Sequence, residues 1–119
     1  MAKRQDTQKG GAGVWVLAVL ADGPQHGYAL AREIEQRSGA ALKPGEGTLY
    51  PALRALEGDG FIAGEWQIQP AGPARKVYAL TESGRAELEK QTQAWHEYAR
   101  AVGGILGGKL GGKVHEQTA

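Results

Sequence analysis

Gly45-Glu46-Gly47-Thr48-Leu49-Tyr50-Pro51-Ala52-Leu53-Arg54-Ala55-Leu56-Glu57-Gly58-Asp59-Gly60-Phe61-Ile62 reads as one helix with two unlike faces and a glycine stop. At about 100° per residue, Leu49, Ala52, Leu53 and Leu56 share one side, and Gly47, Pro51, Arg54 and Ala55 lie opposite, with Thr48, Tyr50 and Glu57 on the flanks. The apolar side predicts a core contact. The other side joins small residues to one aromatic hydroxyl and one cation and keeps Glu57 to its edge, so something large is expected to lie flush against it. The start of this helix has two readings. Either Thr48 is the N-cap and Pro51 sits in the first turn, or the helix begins near Gly45, with Glu46 at the positive end of the dipole, and Pro51 bends it. In both, a glycine-rich opening turn lets the backbone approach a phosphate closely.

Two shorter helices are expected upstream. Val14 to Ala21 is apolar nearly all round, which predicts burial on more than one side, under a second subunit or another helix. Asp22-Gly23-Pro24 stops it. Gln25 to Ser38 forms the second helix, with Tyr28, Leu30, Ala31 and Ile34 inward, Arg32, Glu33, Glu35, Gln36 and Arg37 outward, and Gly39 as a C-terminal cap. His26, in its opening turn, reads as a cap or packing residue. Ala40 to Pro44, carrying Lys43, turns into the third helix. Residues 1–13 are expected to be a flexible arm whose Lys3, Arg4 and Lys9 are free for phosphate or simply solvated.

Downstream, Phe61-Ile62 and Glu65-Trp66-Gln67-Ile68 read as strand, Gln69 to Ala74 as a turn, and Arg75-Lys76-Val77-Tyr78-Ala79-Leu80 as the returning strand, with Trp66 in the core of this hairpin. Three helices and a hairpin make a chain that is mainly α with a small β-hairpin: a winged helix-turn-helix over 14–80, whose third helix enters a DNA major groove. Thr81 is a good N-cap for a last helix over 81–107. There Leu88, Trp95 and Val102 recur every seven residues, with Tyr98, Ala99, Ile105 and Leu106 between them, the pattern of a seam for a second copy. Gly103-Gly104, Gly107-Gly108 and Gly111-Gly112 weaken this dimerisation helix after Val102, and 108–119 is expected to be a disordered tail. Trp15 packs either inside the domain or against the last helix.

A net charge of +1 over 119 residues decides little, but its distribution is uneven. Glu82, Glu87, Glu89 and Glu97 gather on the last helix, while Lys43, Arg54, Arg75 and Lys76 fall on the turn, third helix and hairpin, as in a basic footprint on one side. The absence of cysteine excludes disulfides and thiolate chemistry, and no apolar run has the length of a signal core or a bilayer span, so a cytoplasmic protein is expected. His26, His96 and His115 have no sequence-local partner at metal spacing, so no metal or other cofactor is expected. Gly45-x-Gly47 begins like a dinucleotide loop, but Tyr50 stands at the third glycine's place and no nucleophile has a neighbouring base, which argues against an enzyme. The competing non-enzyme reading is a winged helix that binds protein instead of DNA.

His26-Gly27-Tyr28-Ala29-Leu30, Gly47-Thr48-Leu49-Tyr50-Pro51-Ala52-Leu53, Leu56-Glu57, Gly60-Phe61-Ile62, Gly72-Pro73-Ala74-Arg75-Lys76-Val77-Tyr78 and Leu80-Thr81-Glu82-Ser83-Gly84, in series, resemble the PadR family of transcriptional regulators, in its compact branch with one C-terminal helix. Gly45 departs from the pattern, standing where a serine cap is common, and the glycine-rich tail is unlike a long coiled coil. The resemblance implies a homodimeric repressor of operator DNA, its last helices exchanged across the dimer, released by a small aromatic or hydrophobic effector. It further implies that Trp95 is a flat platform in a pocket between subunits; the safer reading is an anchor of the seam, and the two are compatible, since a tryptophan repeated by symmetry frames a cleft whose other walls are Val14 and Ala99. The expected DNA contacts are Lys43, Thr48, Tyr50, Arg54, Arg75 and Lys76, with Arg54 on a guanine edge or a phosphate and Thr48 a cap or a phosphate contact. The expected dimer interface is Leu88, Trp95, Tyr98, Val102, Ile105 and Leu106.

Overall fold

The structure, a computed structural model, describes residues 11–107. Within them, four helices and a small sheet follow in the order α1 (Ala12–Leu20), β1 (Gln25–His26), α2 (Gly27–Arg37), α3 (Glu46–Gly58), β2 (Ile62–Gln67), β3 (Arg75–Leu80) and α4 (Glu82–Leu106). The strands lie in the order β1-β3-β2, both pairs antiparallel, with Gly64 opposite Tyr78 and Trp66 opposite Lys76. This is a winged helix-turn-helix followed by one long helix. Lys3, Arg4 and Lys9 of the expected arm and the expected tail lie outside the described residues.

Apolar spacing decides where each helix goes. Val16, Leu17, Val19 and Leu20 of α1 meet Leu30 and Ile34 of α2, Leu49, Leu53 and Leu56 of α3, and Ile62 and Tyr78 of the sheet in one core. Burying one such side chain contributes roughly 1.5–3 kcal/mol before chain entropy is counted. Trp15 packs on the margin of this core, inside its own domain. α1 begins at Ala12, two residues earlier than its apolar run, because Gly13 is already buried against the domain.

The third helix resolves in favour of the earlier start. Gly45 is the N-cap without any side-chain cap, and its carbonyl accepts from the N–H groups of Thr48 at 3.1 Å and Leu49 at 2.9 Å. Pro51 therefore lies inside the helix and withholds the N–H that the Gly47 carbonyl would otherwise receive. Gly47 is exposed, so that carbonyl stays open to solvent. Leu49, Ala52, Leu53 and Leu56 are the buried face, and Gly47, Thr48, Tyr50, Pro51, Arg54 and Ala55 are exposed.

Gln25 and His26, expected in the second helix, pair instead with Tyr78 and Val77. The cause is local: His26 is the N-cap of α2 with extended backbone (φ −89, ψ 167), the conformation that also fits a strand edge. Thr81 caps α4 by accepting from Gly84 N–H at 3.0 Å. The helix then runs through Gly103 and Gly104 and ends at Gly107 with φ 69. Each glycine weakens a helix by about 1 kcal/mol without interrupting its ladder.

The first turn of α4 grips the junction between α3 and the hairpin. Thr81 Oγ1 and Ser83 Oγ both donate to the Gly60 carbonyl, at 2.7 and 3.0 Å, and Thr81 N–H donates to the Phe61 carbonyl at 3.1 Å. Gly84 is buried with its Cα against the Phe61 carbonyl, leaving no room for a Cβ. Gly84→Ala, which in a free helix would be stabilising by about 1 kcal/mol, is thus expected to destabilise by roughly 1–3 kcal/mol, as over-packing does. Thermal unfolding checks this: the midpoint should fall by about 4–8 °C per kcal/mol in a domain of this size, and a rise would mean that α4 is not docked here.

Candidate functional site

The exposed face of α3 and the sheet beside it form one surface. His26, Gly27, Tyr28, Tyr50, Trp66, Arg75, Lys76 and Tyr78 line a concavity of about 590 Å3 where the start of α2, the flank of α3 and the hairpin meet. Three of the expected contact residues, Tyr50, Arg75 and Lys76, are thereby brought together. Arg54 lies one turn along α3 and close enough to act electrostatically on the Tyr78 phenol. Thr48 is exposed near the start of α3 and is not its cap, while Lys43 is exposed in the preceding turn and does not line the concavity. Tyr50 reaches over the start of α2 because residue 27 is glycine: a Cβ there would come within 2.9 Å of the phenol oxygen.

Two aromatic residues belong here that sequence reasoning placed in the core. Tyr28 and Trp66 are each 67% exposed. Leu30 and Ile34, four apart, define the buried row of α2, and Tyr28, two residues before Leu30, falls off that row; the spacing carried the signal. Trp66 shares a strand face with buried Ile62, but that face continues past the edge of the core into solvent. Arg32 lies 5.7 Å from the Tyr28 ring centroid, and Lys76 Nζ 6.0 Å from that of Trp66 and 5.4 Å from that of Tyr78.

The cations of this surface are not equivalent. Arg75 Nη1 lies 3.0 Å from His26 Nε2, while Lys76 Nζ is paired at 3.2 Å with Glu57 Oε1 on the last turn of α3. Burial raises the Tyr78 phenol above its ordinary range, with Lys76 opposing the shift.

The far half of α4 presents an apolar strip. Trp95 is 46% exposed, its ring 6.0 Å from that of Tyr98 at a 36° tilt, with Val102 half-buried and Ile105 and Leu106 exposed. Leu88, expected in the same seam, packs against the core of its own domain. The concavity along α4 is lined by polar residues such as Arg85, Glu89, Gln93 and His96 together with Leu88, and Val14, Trp95 and Ala99 do not line it.

A family model described as the transcriptional regulator PadR-like family matches residues 16–90. The chain belongs to this family. It is 37% identical over 111 residues to transcriptional regulator Rv3488 of Mycobacterium tuberculosis, covering 93% of this chain and 94% of that protein. It is 32% identical over 73 residues to negative transcriptional regulator PadR of Bacillus subtilis, where the match covers 61% of this chain and only 40% of the relative. Among solved structures, a PadR family transcription regulator from Clostridium difficile matches with a TM-score of 0.71 at 28% identity, covering 81% of this chain and 98% of that one. Bacillus subtilis PadR in complex with operator DNA matches with a TM-score of 0.60 at 29% identity, covering 66% and 44%. As a PadR-like protein the chain is a transcriptional regulator and not an enzyme.

In this PadR-like chain the His26 ring faces donors from two elements. Nε2 faces Arg75, which has only donors, and Nδ1 faces Ala29 N–H at 3.4 Å. A neutral imidazole has one acceptor nitrogen, so it either holds Arg75 or caps α2, and a protonated ring does neither. Burial, and then the charge of Arg75, hold the His26 pKa below 6.5. The unfolded chain therefore binds this proton more readily than the folded one, and the contribution to stability is complete above 6.5 and lost as pH falls through the folded-state value. Urea unfolding from neutral pH down to about pH 5, just above the carboxylate range, should show a loss in the parent that shrinks in His26→Asn, which caps without titrating. Identical pH slopes would place that loss elsewhere.

Proposed function

We propose that the protein is a homodimeric repressor that binds a pseudo-palindromic operator, with α3 of each copy in successive major grooves about 34 Å apart. The observation that carries this is the continuity of one exposed surface: Thr48, Tyr50 and Arg54 of α3 run into the hairpin that carries Arg75, behind Lys43 in the preceding turn. A groove-filling helix flanked by a basic wing fits bases and backbone together. The names of relatives support the same reading, since the Bacillus subtilis relative is a negative regulator whose structure was solved with operator DNA. On this reading the protein works in the cytoplasm alongside the DNA. No described helix is long and apolar enough to cross a membrane.

Dimerisation is supported by the geometry of α4. At 1.5 Å per residue its 25 residues span about 37 Å, and residues 92–101 are all exposed, so the outer part of the helix stands clear of the domain. The face that buries Gly84 and Leu88 continues outward as Trp95, Tyr98, Val102 and Leu106, with Ile105 beside it. A second copy covers this strip and brings a second Trp95 near the first. A cleft there, walled by Val14, Trp95 and Ala99 from both copies, is the proposed site for a small aromatic or hydrophobic effector. Binding there releases the operator by favouring a different spacing of the two α3 helices.

Arg54→Ala tests the DNA face. It is expected to weaken binding to a duplex selected from a random library by roughly 5- to 150-fold, as for loss of a base or backbone contact of about 1–3 kcal/mol, without changing the mass of the dimer. Parent affinity that ignores salt, instead of falling with a log–log slope near −0.9 per neutralised phosphate, points to a protein-binding module. Trp95→Ala tests the seam. Sedimentation equilibrium should show the dimer dissociating at about 30-fold or higher concentration, the scale of a truncated aromatic hot spot; an unchanged dimer constant would place the seam elsewhere.

A further inference from the structure

We propose that Lys76, although basic and on the wing, does not serve as a phosphate contact but forms with Glu57 a strut that fixes the angle between α3 and the hairpin, and that operator recognition depends on this strut. The inference rests on the DNA-binding reading and assigns two positioning residues within it.

Four observations converge on the pair. Glu57 Oε1 lies 3.2 Å from Lys76 Nζ, and its other oxygen, Oε2, accepts from the backbone N–H of Gly64 at 3.2 Å. One carboxylate thus ties the last turn of α3 to both strands of the hairpin. Lys76 Nζ also lies 6.0 Å from the Trp66 ring centroid and 5.4 Å from that of Tyr78, and its side chain is half-buried with its charge met by Glu57. Gly64 has no Cβ because one would stand 2.5 Å from Lys76 Cε and 3.1 Å from Tyr78 Cε1. The space of the missing side chain is the channel through which the lysine reaches the acid.

The consequence for recognition is geometric. The hairpin leaves α3 through Gly58, Asp59 and Gly60, where α4 holds the Gly60 and Phe61 carbonyls; farther along, β2 is an edge strand, and the Glu57 carboxylate is what ties that part of the hairpin back to α3. The strut makes the wing and α3 one rigid surface, so that both meet their parts of the duplex without ordering the hairpin at each encounter. It also neutralises the one carboxylate on the wing-side flank of the last turn of α3, which would otherwise face phosphate.

The sign of one substitution separates the two roles of Lys76. Glu57→Gln removes a negative charge and keeps an acceptor for Gly64. If Lys76 is a strut, Glu57→Gln weakens binding to the selected duplex by roughly 3- to 100-fold, the range for coupled partners in one network, and leaves binding to a scrambled duplex unchanged. Lys76→Met does the same and leaves the salt slope within a few tenths of the parent's. The double variant is then no weaker than either single one. Gly64→Ala, which keeps both charges and displaces the lysine, falls in the same direction. If Lys76 is a phosphate contact, Glu57→Gln frees it and tightens binding, and Lys76→Met lowers the salt slope by about 0.9; either result overturns the strut. A parent protein that binds no duplex in a salt-dependent way sinks the DNA-binding reading itself, before the variants are compared.

Discussion

The structure depends on the burial of one side of α3. Leu49, Ala52, Leu53 and Leu56 are sequestered against α1, α2 and the sheet, and a helix is rigid enough that this fixes what its other side shows. Thr48, Tyr50 and Arg54 are exposed because those four residues are not. The constraint extends beyond the helix: Glu57 is at the boundary between the two sides, which is where an acid reaches the hairpin instead of solvent. Gly27 and Gly64 then remove side chains at the two places where Tyr50 and Lys76 must pass close to another element.

Charge is organised by the same geometry. A net charge of +1 would attract a polyanion weakly if it were spread evenly. By element it nearly is: α4 sets Arg85, Lys90 and Arg100 against Glu82, Glu87, Glu89 and Glu97, and what the geometry selects is exposure, with Arg54 and Arg75 both exposed on the α3 and hairpin surface. Of the acids on these elements, Glu57 has its charge met by Lys76, while Glu46 at the start of α3 and Glu65 on β2 are exposed. Low overall charge keeps nonspecific attraction small relative to contacts made in register, which favours discrimination over raw affinity.

How much was readable from the sequence follows from how far each signal reaches. The row of Leu49, Ala52, Leu53 and Leu56 repeats over two turns, and the hairpin returns through a glycine- and proline-rich turn, so the winged helix could be read from periodicity alone. β1 could not: two residues are too few for a period, and their pairing with Val77 and Tyr78 is set some fifty positions away. Trp66 was misplaced because alternation reports which face a residue is on and not where the core ends. The start of α3 stayed open because Pro51 argues for a late start, and the exposed Gly47 that makes an early start tolerable is visible only once the helix is seen in place. Leu88 fits the seven-residue spacing of the seam, yet at that point in α4 the surface to be covered is the chain's own domain.

Leu88 docks α4 on the domain, and under the proposed function a ligand seated on α4 acts on the exposed face of α3 through that docking. The helix uses one face for two purposes: its first turns pack onto the domain through Gly84 and Leu88, and its later turns present Trp95, Tyr98 and Leu106. Its N-terminus holds the Gly60 and Phe61 carbonyls through Thr81 and Ser83, with Gly84 in van der Waals contact at the same place. Gly60 and Phe61 are the link between α3 and β2. A rotation of α4 about its docked end therefore displaces the pivot of the wing and α3 directly, with no intervening flexible segment to absorb it. For a dimer joined through the outer part of α4, a ligand that changes the crossing of the two helices by a small angle moves two α3 helices as rigid attachments, and the displacement grows with their distance from the seam. The close contact at Gly84 is what makes that lever stiff, because a helix with a larger residue there would stand away from the junction and turn without carrying it.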